Sequence, residues 1–189
     1  MEHFLVRETW DWLSDEKRVR KGSYWLQACN GYRVRPGATA QYLHRYAPSP
    51  CSLAEALLKK DFAERYSDSI NSDSVNLVGG FVAGTDVTAR NGGTNIIPGS
   101  HLWPIDRIPR PEEAVAAQLK KGDGVFWLST IFHGAGANVC QPGEPDAERM
   151  MYGYFGTIDT LRQPDLQILS VPPEVVLKMP EIVLRMVVS

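Results

Sequence analysis

Apolar positions along this chain fall in short alternating or continuous runs bounded by Gly, Pro and Asn, a spacing that predicts strands more often than long helices. Tyr24 to Cys29 and Tyr32 to Val34 read as two strands around an Asn30-Gly31 turn signal. Pro36-Gly37 makes a second turn, and Gln41 to His44 reads as the next strand. Val75 to Thr85 predicts a buried strand, broken at Gly79-Gly80 where a bulge or a close backbone approach would be natural. Asn91-Gly92-Gly93 turns into a short strand over Thr94 to Ile97, and Gly122-Asp123-Gly124 feeds a strand over Val125 to Leu128. Met150 to Phe155 is a further strand. Helical signals are few. Phe4, Leu5, Trp10 and Leu13 predict a short N-terminal helix, Ser52 with Glu55 a capping box, and residues 181 to 188 an amphipathic tail. Many short strands with regular turns predict a double-sheet β fold.

Composition narrows this picture. At 189 residues the chain fits one domain, residues 1–189, with its own core. The 16 Gly and 13 Pro suit a loop-rich β protein. A formal charge of -2 with mixed signs gives no electrostatic case for nucleic acid or anionic lipid. No apolar run is long enough to span a bilayer, and Glu2, Arg7 and Asp11 interrupt any secretory apolar stretch. Cys29, Cys51 and Cys140 are odd in number with no CxxC, which favours free thiols in a reducing compartment. A soluble, cytoplasmic domain is the expectation.

Candidate chemistry lies in three segments. They are His44-Arg45-Tyr46, Asn91 to His101 (NGGTNIIPGSH), and Phe132 to Asn138 (FHGAGAN). Together they resemble the phytanoyl-CoA dioxygenase family of non-heme iron, 2-oxoglutarate-dependent oxygenases. Thr160 to Gln167 and Ser170-Val171-Pro172 are similar to the family's C-terminal signature. Pro36-Gly37 and Gln41-Tyr42-Leu43-His44-Arg45 resemble the fungal meroterpenoid-pathway members most. The resemblance implies a jelly-roll (double-stranded β-helix) barrel. It also implies a substantial N-terminal region, of which this chain shows only a stub.

The family holds Fe(II) with a His-x-Asp pair and a distal His, leaving positions open for cosubstrate and O2. His44 and His133 match the histidines, but Tyr46 stands where the Asp belongs. A phenol, with a pKa of about 10, is a poor Fe(II) ligand near neutral pH. An isolated His in a β core is more often a hydrogen-bonded residue than a ligand; here the surrounding motif argues ancestry. The resemblance makes Arg149 the match for the Arg that grips the distal carboxylate of 2-oxoglutarate, with a salt bridge to Glu148 or Asp146 as the competing reading. Gln41 and Thr94 match cosubstrate-holding positions, or simply bond backbone. His101 reads as a loop residue and His3 as surface.

Two functions follow from this likeness. The first is a catalytically silent subunit that binds no cofactor itself and stabilises a homologous full-length oxygenase as a heterodimer. Phe4, Leu5, Trp10, Trp12, Ile182, Val183 and Leu184 are its expected contact residues. The second is an active Fe(II)/2-oxoglutarate dioxygenase hydroxylating a terpenoid with an incomplete metal triad.

Overall fold

The structure is a computed structural model that describes residues 2–45, 75–103, 107–161 and 171–188. Its elements in chain order are α1 (Glu2–Leu5), β1 (Glu8–Leu13), β2 (Glu16–Lys21), β3 (Tyr24–Val34), β4 (Leu77–Ala83) and β5 (Thr94–Ile96). There follow β6 (Val115–Ala116), β7 (Gly124–Leu128), β8 (His133–Ala135), β9 (Arg149–Ile158), α2 (Pro173–Val176) and α3 (Glu181–Val188). Pairing is antiparallel throughout: a larger sheet ordered β3-β9-β4-β7, a smaller one ordered β6-β5-β8, and a separate β1-β2 hairpin. The fold is the mainly β jelly roll expected from the sequence. No helix among the described residues is long and apolar enough to cross a membrane.

The large sheet has two faces with different work. Strand alternation places Val78, Leu128 and Ile158 on one face. Buried Leu5 of α1 joins Val75, Val78 and Ile158 there in a core cluster. The opposite face carries Tyr32, Val34, Phe81, Trp127, Arg149, Met151 and Phe155, fixed by the registers Val34↔Arg149, Tyr32↔Met151, Phe81↔Gly153 and Gly79↔Trp127. That face looks toward the small sheet. Met151, wholly buried, packs with Ala83 and Val87 beneath it.

Several local expectations need correction. The N-terminal helix ends at Leu5, and Trp10 and Leu13 lie on a hairpin instead. Thr9-Trp10-Asp11-Trp12 alternates with period two, and Leu13↔Glu16 leaves a two-residue loop with Ser14 at a φ of 58°. Leu5 is therefore core rather than a contact residue. Asn30-Gly31 does not turn: β3 runs unbroken through it because Gly153 and Tyr152 of β9 stand opposite. A turn would forfeit those ladder bonds, and the irregularity sits between Leu26 and Ala28. Gly79-Gly80 makes no bulge but does serve a close approach, since a Cβ on Gly79 would come within 3.0 Å of the Trp127 indole and one on Gly80 would overlap Phe126. Gln41 to His44 is an irregular stretch lying against β8. The capping box at Ser52 and Tyr46 itself lie outside the described residues.

Candidate functional site

One cavity of about 280 Å³ separates the two sheets, and every proposed site residue among those described lines it. Gln41, His44, Thr94, His133 and Arg149 come from four separate stretches of chain, gathered with Tyr32, Val34, Phe81, Trp127, Met151 and Phe155.

The two histidines are held by backbone pairing. His44 N donates to His133 O at 2.9 Å and His133 N donates to His44 O at 2.8 Å, an isolated antiparallel bridge that sets their rings 4.6 Å apart. Each ring is also tied two residues back. Nδ1 of His44 lies 2.8 Å from Tyr42 O, and Nδ1 of His133 lies 2.9 Å from Ile131 O. A carbonyl only accepts, so each Nδ1 carries a hydrogen, and in the neutral ring Nε2 is then left with its lone pair, the form that binds metals. Burial pushes His133 below the ordinary imidazole pKa; the Ile131 bond opposes this and His44 adds to it. His133 is thus neutral at pH 7.

Arg149 opens β9 and is only 3% exposed. The salt bridge considered from sequence does not form. Glu148 pairs outward with Arg33 and Arg35, and no carboxylate pairs with Arg149 among the described residues. Its Nε has no hydrogen-bond partner, and burial lowers the pKa of the guanidinium. A buried cation without a counter-ion is costly, so among the described residues this position is chemically suited to an anion. Gln41 is less free: its Oε1 accepts from Ala135 N at 3.0 Å, so it ties the His44 stretch to β8. Thr94 is buried opposite Ala135. His101 lies in a 3-10 turn, Ser100–Leu102, away from the cavity, and His3 is exposed.

Sequence reading missed the aromatic wall. Phe81 lies 5.0 Å from Trp127, 5.4 Å from Tyr32 and 6.1 Å from Phe155. Strand alternation could have found Phe155, which shares the parity of Arg149 on β9, whereas Tyr32, Phe81 and Trp127 are placed by cross-strand register.

The arrangement fits one half of the cosubstrate chemistry better than the other. Arg149, buried and without a carboxylate partner among the described residues, suits a carboxylate. For iron the described residues supply two imidazoles, and no group of three metal-ligating side chains occurs among them. The described residues do not complete an iron site.

Residues 62–141 match the family described as phytanoyl-CoA dioxygenase (PhyH), a span that includes Thr94 and His133. This chain belongs to the phytanoyl-CoA dioxygenase-like family. It is 34% identical over 148 residues to dioxygenase swnH1 of Metarhizium robertsii, covering 78% of this chain and 43% of that protein. It is 32% identical over 162 residues to dioxygenase himG of Aspergillus japonicus, covering 86% of this chain and 47% of that protein. The chain therefore spans less than half the length of these curated relatives. Among solved structures it is similar to the non-heme alpha ketoglutarate dependent epimerase SnoN from nogalamycin biosynthesis. That likeness has a TM-score of 0.47 at 21% identity, over 71% of this chain and 46% of SnoN.

Proposed function

We propose that this phytanoyl-CoA dioxygenase-like chain is a catalytically silent subunit of an Fe(II)/2-oxoglutarate oxygenase assembly in fungal secondary metabolism. Its cavity holds a small dicarboxylate of the 2-oxoglutarate type, while a homologous full-length subunit carries the iron. The observation that carries this reading is a buried, unpaired Arg149 sharing one cavity with two imidazoles and no third ligand among the described residues. Tyr46 at the place of the family's carboxylate supports it. In this cavity Arg149 binds and orients a carboxylate, Thr94 lies beside it, and the rings of Phe81, Trp127 and Phe155 keep bulk water away. The likeness of Gln41 to Arg45 to meroterpenoid-pathway members favours a terpenoid-derived substrate for the assembly.

Calorimetry with 2-oxoglutarate under anaerobic conditions, metal analysis after Fe(II) reconstitution and detection of succinate test this together. Dicarboxylate binding without stoichiometric iron or succinate is the expected result. The second reading is an active oxygenase with an unusual ligand set. The Nδ1 anchoring of both histidines favours it, because that bond presents each Nε2 as a donor. Tight iron with substrate-stimulated succinate release would establish that reading instead. Assembly is read by light scattering of the chain alone and mixed with a His-x-Asp relative. Trp10 and Trp12, 61% and 60% exposed on the β1-β2 hairpin, are the expected anchors, and Trp10→Ala should weaken association.

A further inference from the structure

His133 is not held by its hydrogen bond alone. Its ring has two ring neighbours, His44 at 4.6 Å and Trp127 at 5.0 Å, tilted by 49° and 48°. His44 is exposed and offers little restraint, whereas Trp127 is 4% exposed and hemmed in. Phe81 lies 5.0 Å and Phe155 6.4 Å from the indole. Beneath it is Gly79, where a Cβ would stand 3.0 Å and 3.1 Å from the indole's Cε2 and Cζ2. Such contacts, with Phe155 Cδ1 also at 3.2 Å, are tighter than packed side chains usually show. An added methyl would make the indole give by a few tenths of an ångström, and the ring cannot retreat toward Phe81 or Phe155 without displacing them.

We propose that Trp127, seated on Gly79, is a positioning residue that fixes the His133 ring in the one orientation that donates from Nδ1 to Ile131 O and offers Nε2 to the cavity. Without the indole the imidazole can turn about its Cβ–Cγ bond, and the hydrogen then distributes between both nitrogens. The stretch 125–133 thus supplies both a site residue and its support, from opposite sheets. This rests on the site assignment made above, but its consequence needs no bound ligand.

Long-range 1H–15N correlation spectra of the imidazoles at pH 8 read the tautomer of each histidine in the full chain. Wild type should show His133 as a single Nδ1–H tautomer. Trp127→Ala should mix the two tautomers, and Trp127→Phe should keep the single one. Gly79→Ala should mix them by pushing the indole out of place, and the double variant Gly79→Ala/Trp127→Phe should restore the single form because the smaller ring leaves room for the added methyl. The His44 signals, held at Tyr42 O, serve as the internal control. An unchanged His133 tautomer in folded Trp127→Ala, or in Gly79→Ala should Trp127→Ala fail to fold, overturns the proposal. Calorimetry with 2-oxoglutarate on the same samples separates the two ideas. Normal tautomer responses with no dicarboxylate binding refute the proposed function alone, and binding with an inert tautomer refutes only the role of Trp127.

Discussion

Arg149→Met should make this protein more stable and at the same time unresponsive to 2-oxoglutarate. Arg149 is 3% exposed, its Nε has no hydrogen-bond partner among the described residues, and Glu148 is engaged with Arg33 and Arg35 instead. A buried polar group left unsatisfied costs about 1–3 kcal/mol. Exchanging buried ionic groups for apolar ones of similar volume is neutral to stabilising by about 1–4 kcal/mol. Only Nε is a buried orphan of this side chain, so the gain should lie toward the low end, about 1–2 kcal/mol. For a chain of this size each kcal/mol moves the melting temperature by about 2–4 °C, giving a rise of about 2–8 °C without ligand. Wild type should gain about 2.7 kcal/mol more when 2-oxoglutarate is present at ~100 times its Kd, whereas the variant should gain nothing. Thermal unfolding of both proteins, with and without the dicarboxylate, reads the two opposite signs in one experiment. A variant that melts below wild type in the absence of ligand would show that the guanidinium supports the fold. Equal ligand stabilisation of both proteins would show that it is not the carboxylate's partner.

Gly93→Ala should cost more than about 2 kcal/mol in chemical denaturation, because its Cβ would meet Ala117 O at 2.6 Å and Thr88 O at 2.9 Å, and backbone cannot swing aside. Asn138→Ala should cost about 1–3 kcal/mol per group stranded and speed hydrogen exchange around residues 140–147. Its Nδ2 donates to Ala147 O at 2.7 Å and its Oδ1 accepts from Cys140 N at 3.1 Å, both in buried surroundings. Stability should fall as pH drops below the ordinary imidazole value of 6.5 toward the lower folded value of His133. The unfolded chain binds the proton first, so unfolding gains protons across that window, and His133→Gln should flatten the slope in pH-dependent denaturation.

Much of the chemistry was legible in the residues themselves. Turn glycines declared themselves by their neighbours: Gly37, Gly92 and Gly122 all adopt positive φ, where a side chain would be strained. Apolar runs marked β4 and β9, which have neighbours on both sides, and also β7 at the edge of the sheet. His44, Thr94, His133 and Arg149 could be nominated from motif likeness, and the fold does bring them to one cavity. Other features depended on what stands opposite. Asn30-Gly31 carries a strong local turn signal, yet β9 lies alongside it and its ladder outweighs a local preference of about 1 kcal/mol. Residues 4–14 have helical spacing, yet Leu5 is drawn into the core and the two tryptophans go to a hairpin. Whether Arg149 is paired was equally undecidable in one dimension. Glu148 is its chain neighbour, but strand geometry sends adjacent side chains to opposite faces, so the nearest carboxylate in sequence serves Arg33 and Arg35 outside while Arg149 lines the cavity with no carboxylate partner among the described residues. Sequence determined which groups this protein possesses. Cross-strand register, set by contacts distant in the chain, decided which of them meet.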